Sequence, residues 1–282
     1  MTVHAAEASE LLLSTAEAGG SALAVVVVGG TVNEALGLRM VLLRPGRTPD
    51  TEHRGSLGSV SLDEAARRIM EEALSDPRAR EGLRRLELEG DSIELYLELR
   101  RPIRDLIVVG AGHIAQPLSR MGAMLGFRVT VLDDRPDFAT RERFPEAFRL
   151  VRADFSDPFA QVPIHERSYI LLVTRGHKYD YECLIRALRM DPPPPYIGMI
   201  GSRRRVRATY VQLLDDGIDG AILERIHAPV GLDIGAETPE EIAVAVAAEL
   251  VMIARGGTGA PLKDVERIAE RFFGDNALDA NE

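Results

Sequence analysis

Four polar clusters, well separated in the chain, carry side chains suited to binding phosphate and hydroxyl groups. They are Gly110-Ala111-Gly112-His113, Asp133-Asp134-Arg135, Arg175-Gly176-His177-Lys178 and Gly201-Ser202-Arg203-Arg204-Arg205. Glycines at 110 and 112 permit a sharp turn and let a ligand come close to the backbone, and Ala115 completes a G-x-G-x-x-A pattern. Asp133 follows Gly110 by 23 residues, the spacing at which a carboxylate meets a ribose hydroxyl. Gly201-Ser202 stands before a helical stretch, so it offers free N–H groups, a hydroxyl and the positive end of a helix. Arg203 and Arg204 would add charge-assisted bonds to a phosphate. Successive arginines equally suit a solvated helix face, and both readings stand at this point. The expectation is that Arg203 and Arg204 hold a phosphate end while Asp133 or Asp134 receives a hydroxyl or amine at the other.

Asp233 and Glu237 flank Gly235 just ahead of a capped helix. They suit acid–base work, and acidic residues near a helix start also follow from its dipole. His113, His177 and His227 each border an expected strand but lack a tight i, i+4 spacing. They read as hydrogen-bonding residues, and no metal is expected. Neither a Ser-His-Asp arrangement nor a phosphate-binding P-loop is present, and Cys183 falls inside an expected helix, where packing is its simplest role.

The elements that must position these clusters are legible around the glycine turn. Residues 103–109 form a short apolar run, as a strand buried on both faces should. Ile114, Leu118, Met121 and Leu125 then follow at helical spacing, and residues 128–132 make a second strand ending on the acidic pair. Strand, glycine turn, helix, strand and terminal Asp in that order predict a Rossmann βαβ unit. Further strands are expected at 148–151, 168–174 and 196–200, with helices at 178–190 and 202–215. The fold class is therefore α/β, a doubly wound parallel sheet whose strand ends gather all four clusters on one rim.

Ahead of this unit the pattern differs. A helix at 7–18, strands at 22–28 and 36–43, and a charged loop at 47–58 are expected. Ser61-Leu62-Asp63-Glu64 reads as a capping box that starts a helix. Strands at 84–89 and 92–99 flank a Gly90-Asp91 turn, and Ile93, Leu95, Leu97 and Leu99 alternate with polar residues. A smaller α+β domain, 1–101, thus precedes a Rossmann-like domain, 102–257, and a helical tail, 258–282. Thr238-Pro239-Glu240-Glu241 is a second capping box, and the helix it opens, 239–254, is apolar on nearly every side. Such a helix is core or subunit interface, and a homodimer is expected.

With 45% apolar and 28% charged residues among 282, the chain can bury a large core. A net charge of −10 argues against a general nucleic-acid surface, though not against a local anion pocket. One cysteine excludes an intrachain disulfide framework and fits a reducing cytoplasm. No apolar stretch reaches the length of a membrane span, and no membrane partner is expected.

From 106 to 255 the sequence resembles the XdhC/CoxI family of xanthine dehydrogenase accessory factors. The resemblance rests on Gly110-Ala111-Gly112-His113, Asp133-Asp134-Arg135-Pro136, Arg141-Glu142-Arg143-Phe144-Pro145, Thr174-Arg175-Gly176-His177 and Tyr196-Ile197-Gly198-Met199-Ile200-Gly201-Ser202. It continues through Gly231-Leu232-Asp233-Ile234-Gly235-Ala236-Glu237-Thr238-Pro239. The resemblance implies a maturation factor, not itself a catalyst, that binds the molybdenum cofactor as molybdopterin or its dinucleotide. It implies sulfuration with a cysteine desulfurase and delivery to a molybdenum hydroxylase apoenzyme. The amino-terminal domain departs from the pattern: the family's cysteine would fall at Ser61, and a serine offers no soft thiolate. The glycine turn with Asp133 also fits an NAD(P)-dependent oxidoreductase, although no convincing hydride-transfer acid stands out.

Overall fold

Alternating apolar residues in the first hundred positions build an antiparallel sheet, and continuous apolar runs after them build a parallel one. The computed structural model describes residues 3–46, 50–76, 78–191 and 193–267. The first part comprises α1 (Ala5–Glu17), β1 (Ser21–Gly30), β2 (Arg39–Arg44), β3 (Glu52–Gly55), α2 (Val60–Ser75), β4 (Gly82–Leu88) and β5 (Asp91–Arg100). Its strands pair antiparallel in the order β3-β2-β1-β5-β4. Leu23, Val25 and Val27 of β1 pack with Leu62, Ala66, Met70 and Leu74 of α2, while Ala22 and Ala24 meet Ala8 and Leu12 of α1. Period-two alternation thus sends each strand's side chains to two different helices, and each fully buried Leu, Val or Met contributes roughly 1.5–3 kcal/mol.

Three local expectations are revised here. The loop expected at 47–58 contains the edge strand β3, whose Glu-His-Arg-Gly sequence carries no apolar alternation; it pairs with β2 through its backbone, and 47–49 lie outside the described residues. The cap of α2 is Ser59, whose hydroxyl accepts from the Leu62 N–H at 3.2 Å, so the helix starts two residues before the Ser61 box. The β4–β5 turn is Glu89-Gly90, not Gly90-Asp91, with φ of 55° and 93° at these positions. Two successive positive φ values match the twist of the hairpin, as in a type I′ turn.

The second part comprises β6 (Asp105–Val109), α3 (Ala115–Met124), β7 (Arg128–Asp133), β8 (Arg149–Arg152), β9 (Ser168–Leu172), α4 (His177–Leu188), β10 (Tyr196–Met199), α5 (Arg203–Asp215), α6 (Gly220–Leu223), β11 (Ile226–His227), α7 (Pro239–Arg255) and α8 (Leu262–Glu266). Six parallel strands lie in the order β11-β10-β9-β6-β7-β8. That is the doubly wound Rossmann order, with the first strand central and the direction of winding reversing between β6 and β9. Ile107 and Val109 of β6 face Leu184 of α4 and Val206 of α5, whereas Leu106 and Val108 face Leu118 of α3 and Val246 of α7. Both faces are covered, which is why these strands read as unbroken apolar runs. The short α6 and β11 had no periodicity long enough to show in the sequence. The tail helix begins as expected at Leu262 and is seen to Glu266; 268–273 lie outside the described residues. No helix among the described residues is long and apolar enough to cross a membrane.

Candidate functional site

Parallel strands deliver their carboxyl ends to one rim, and three of the expected clusters are built around the β6–β9 switch point. The β6 exit turns at Gly110, whose φ is +108° and where a Cβ would stand 2.4 Å from the Val173 carbonyl of the β9 exit. Only glycine tolerates both conditions. Gly112 differs: a Cβ there would meet nothing within 4 Å, so the space beside it is open to a ligand. The first turn of α3 follows at once; a helix leaves its first N–H groups without intrahelical acceptors, and in α3 these belong to Ala115 and Gln116, since Pro117 has none.

Asp133 ends β7, yet it does not wait for a ribose. Its Oδ2 accepts the Ala111 N–H at 2.8 Å and Arg135 Nη2 at 2.9 Å; its Oδ1 accepts Arg135 Nε at 2.8 Å and the Arg135 N–H at 3.0 Å. Four donors fill a carboxylate's acceptor sites, and the side chain is 2% exposed. Burial pushes its pKa up, but Arg135 and the two backbone N–H groups outweigh this and hold it at about 2. Asp133 is therefore a strut beneath the glycine turn, its acceptor sites already filled where the sequence placed a hydroxyl acceptor. Asp134 lies on the surface in a bidentate pair with Arg175, at 2.7 and 2.8 Å. A cavity of about 410 Å³ opens beside it, lined also by Arg152, Phe155 and Tyr179.

The arginine cluster is split by its helix. Ser202 caps α5, its hydroxyl accepting from Arg205 N at 3.3 Å, and Arg203 and Arg204 point to solvent. Arg205 turns inward instead: its Nε bonds Asp180 at 2.6 Å and its Nη2 bonds the Thr174 carbonyl at 2.9 Å. Thr174 Oγ1 donates to Asp180 at 2.6 Å, so Asp180 of α4, fully buried, is satisfied from both sides. Burial raises its pKa despite these partners. This network pins the β9 exit to α4 and α5; neither Thr174 nor Asp180 was expected as a functional residue, and Arg205, grouped in sequence with the phosphate-binding cluster, is spent on holding them. A signal existed: Asp180 falls on the apolar face of α4 with Cys183, Leu184 and Ala187, and a polar residue at an apolar position needs a partner.

Arg143 was also missed. Its Nη2 donates to the Ala111 carbonyl at 3.0 Å, and Arg143 and Arg135 lie over the Phe138 ring at 4.6 and 3.4 Å. The charged excursion after β7 thus braces the glycine turn from outside. His113 and His177 are exposed on the rim; His227 is elsewhere, stacked on Tyr196 at 4.5 Å and 2.8 Å from Glu249. Asp233 and Glu237 are exposed in the loop before α7, and no hydrogen bond or ion pair joins their side chains to the rim among the described residues. Among the described residues no three His, Cys, Asp or Glu side chains gather as a metal site. The one cysteine, Cys183, is buried in α4, where burial pushes its thiol far up, away from a reactive thiolate.

The geometry defines a Rossmann-type domain, with its glycine turn at the switch point, joined to an α+β domain. Residues 106–250 match the model of the XdhC Rossmann domain, and the chain belongs to that family. It is similar to the Escherichia coli K12 protein YqeB, 30% identical over 171 residues that cover 60% of this chain and 31% of that one. In Bacillus subtilis it is similar to a probable xanthine dehydrogenase subunit, 32% identical over 157 residues, 56% of this chain and 45% of that one. The chain therefore matches less than half the length of either relative. A crystal structure of a xanthine dehydrogenase from Bacillus halodurans superposes with a TM-score of 0.59 at 22% identity, covering 93% of this chain and 68% of that one, and shares the fold.

Proposed function

We propose that this protein is an accessory factor of a xanthine dehydrogenase-type molybdenum hydroxylase. In this reading it binds the molybdenum cofactor, as molybdopterin or its dinucleotide, on the rim of the parallel sheet. It presents the cofactor to a cysteine desulfurase for sulfuration and passes it to the apoenzyme in the cytoplasm. The observation that carries the reading is the open space beside Gly112 at the start of α3. There, N–H groups and the helix dipole favour a phosphate. Membership of the XdhC family and the likeness to part of a xanthine dehydrogenase support the choice of ligand and partner.

The rim fits the phosphate and hydrogen-bonding ends of such a cofactor. Gly110 and Gly112 shape the turn; Gly201, Ser202, Arg203 and Arg204 flank it; Arg135, Asp134, Arg175, His113 and His177 offer polar contacts, and Asp233 and Glu237 lie in the adjoining loop. Bound there, the cofactor would bring the molybdenum chemistry that the hydroxylase uses. With its only thiol buried in α4 and Ser61 in the first turn of α2, this chain offers no accessible thiol to carry a transferable sulfur, and in this reading the desulfurase meets the cofactor on the rim. Exposed Met124, Val244 and Val251, beside α8, also support a homodimer through the α3–α7 face.

Calorimetric titration with molybdopterin, its cytosine dinucleotide, NAD and NADP tests the reading. The molybdenum-cofactor forms should bind wild type best, and Gly112→Val should abolish that binding in a folded protein. Replacing Arg203 and Arg204 with Ala should weaken it by about one to two decades for each arginine–phosphate bond removed. Binding of NAD(P) alone, and only with Asp133 or Asp134 intact, would instead favour the oxidoreductase.

A further inference from the structure

A second cationic site lies at the opposite edge of the parallel sheet, between the two domains. Arg104, Arg167 and Pro195 immediately precede β6, β9 and β10, so they mark the amino ends of the strands, away from the glycine turn. Arg44 of β2 and Arg101 of the connecting segment reach the same place from the antiparallel domain. A cavity of about 330 Å³ is lined by Arg44, Arg101, Arg104 and Arg167 with Tyr169, against the single carboxylate of Glu166. An adjoining cavity of about 470 Å³ shares Arg101 and Arg167 and adds Arg78, Arg80 and Arg255 against Glu81. The concentration of positive charge is notable in a chain of net charge −10.

Part of this cluster has a structural role. Arg101 Nη2 caps the end of α2 through the Ala73 and Asp76 carbonyls at 3.0 and 2.7 Å, and Arg44 Nη2 bonds Glu166 at 2.9 Å. Arg104 Nη2 likewise bonds the Leu125 carbonyl at 3.1 Å and Arg167 Nη1 the Pro102 carbonyl at 2.8 Å. Carbonyls carry no full charge, and these four guanidinium groups line one cavity with Glu166 as its only carboxylate. Burial first, and then the charge of Arg104, lowers the Arg167 pKa, as like charges packed together should. An anion between them would supply the countercharge that Glu166 alone does not.

We propose that this interdomain cleft binds a small molecule bearing a diphosphate, clasped between the antiparallel domain and the base of the parallel sheet. Guanidinium groups contributed by β2, the connecting segment and the leads into β6 and β9 surround the cavity. Tetrahedral phosphates, with oxygens directed on several sides, answer such an arrangement better than a planar carboxylate does. The combined space admits a diphosphate with an organic part attached. The site is independent of the cofactor rim, so each can be lost without the other.

Inorganic pyrophosphate is the probe, titrated calorimetrically into the full chain at low salt, with citrate as the carboxylate arm. In the Gly112→Val background, which closes the rim, pyrophosphate should bind one per chain, and adding Arg104→Gln with Arg167→Gln should weaken it at least tenfold. Hydrogen exchange on the wild type supplies a second readout: pyrophosphate should protect amides at 101–104 and 166–169, whatever it does at 110–114. Unchanged affinity in the folded variant carrying both arginine substitutions, protection confined to the glycine turn, or citrate binding as tightly as pyrophosphate would each overturn the proposal.

Discussion

Replacing Asp133 with Asn separates a structural carboxylate from a ligand-binding one. Asp133 accepts four hydrogen bonds, from Ala111 N–H and from three Arg135 donors, at 2.8–3.0 Å in a site 2% exposed. Asparagine keeps one acceptor oxygen and turns an NH₂ towards donors, leaving at least one buried N–H unpaired. Holding the carboxyl at about 2 against an ordinary 3.8 is worth about 2–3 kcal/mol. Urea unfolding at pH 7 should therefore show Asp133→Asn less stable by about 2–3 kcal/mol, with Tm lower by about 5–10 °C. The folded-state value lies below the unfolded one, so this stability is fully present above about pH 4 and disappears as pH falls towards 2. The gap between wild type and variant should close over that same window, because the variant has no proton to bind there. A loss under 0.5 kcal/mol at pH 7, combined with abolished dinucleotide affinity, would refute the strut and return Asp133 to the ribose.

Three further outcomes follow from other parts of the structure. Gly110→Ala should cost at least about 2 kcal/mol in urea unfolding, since its Cβ would stand 2.4 Å from the Val173 carbonyl at a φ of +108°, whereas Gly112→Ala should stay within about 0.5 kcal/mol. Glu249 is buried but kept below the ordinary carboxylate range, because His227, the Tyr196 hydroxyl and the Gly231 N–H together outweigh the upward push of burial. Its contribution is present above the ordinary value of 4.5 and fades as pH falls, so Glu249→Gln should lose about 1–3 kcal/mol at pH 7 and less under acid, measured by thermal melts. Sedimentation at micromolar concentration should give a dimer for the wild type and a monomer for Val244→Asp with Val251→Asp; a monomeric wild type would show that α7 serves its own domain alone.

Much of the fold was determined locally and could be read without coordinates. The apolar run before Gly110, the helical spacing of Ile114, Leu118, Met121 and Leu125, and the acidic end of β7 specify a βαβ unit, because buried parallel strands and amphipathic helices each impose a period on their own residues. Thr238-Pro239-Glu240-Glu241 marked the start of α7 for the same reason: a cap is satisfied within four residues. The edge strand β3 escaped notice, since an edge pairs through its backbone and asks little of its side chains.

Tertiary structure alone decided which polar residues are free to meet a ligand. Asp133, Asp134, Arg203, Arg204 and Arg205 look alike as charged residues after strands, yet the fold commits Asp133 to Ala111 and Arg135, pairs Asp134 with Arg175 and turns Arg205 onto Asp180. Of these five, Arg203 and Arg204 remain turned to solvent. The partners Ala111, Arg175 and Asp180 are 22, 41 and 25 residues away in the chain. A hydrogen bond depends on distance in space and on the donors already present, and neither is written in the spacing of residues along one strand or helix. The interdomain arginines make the same point: Arg44, Arg101 and Arg167 are unremarked in sequence, and only the packing of two sheets brings their charges together.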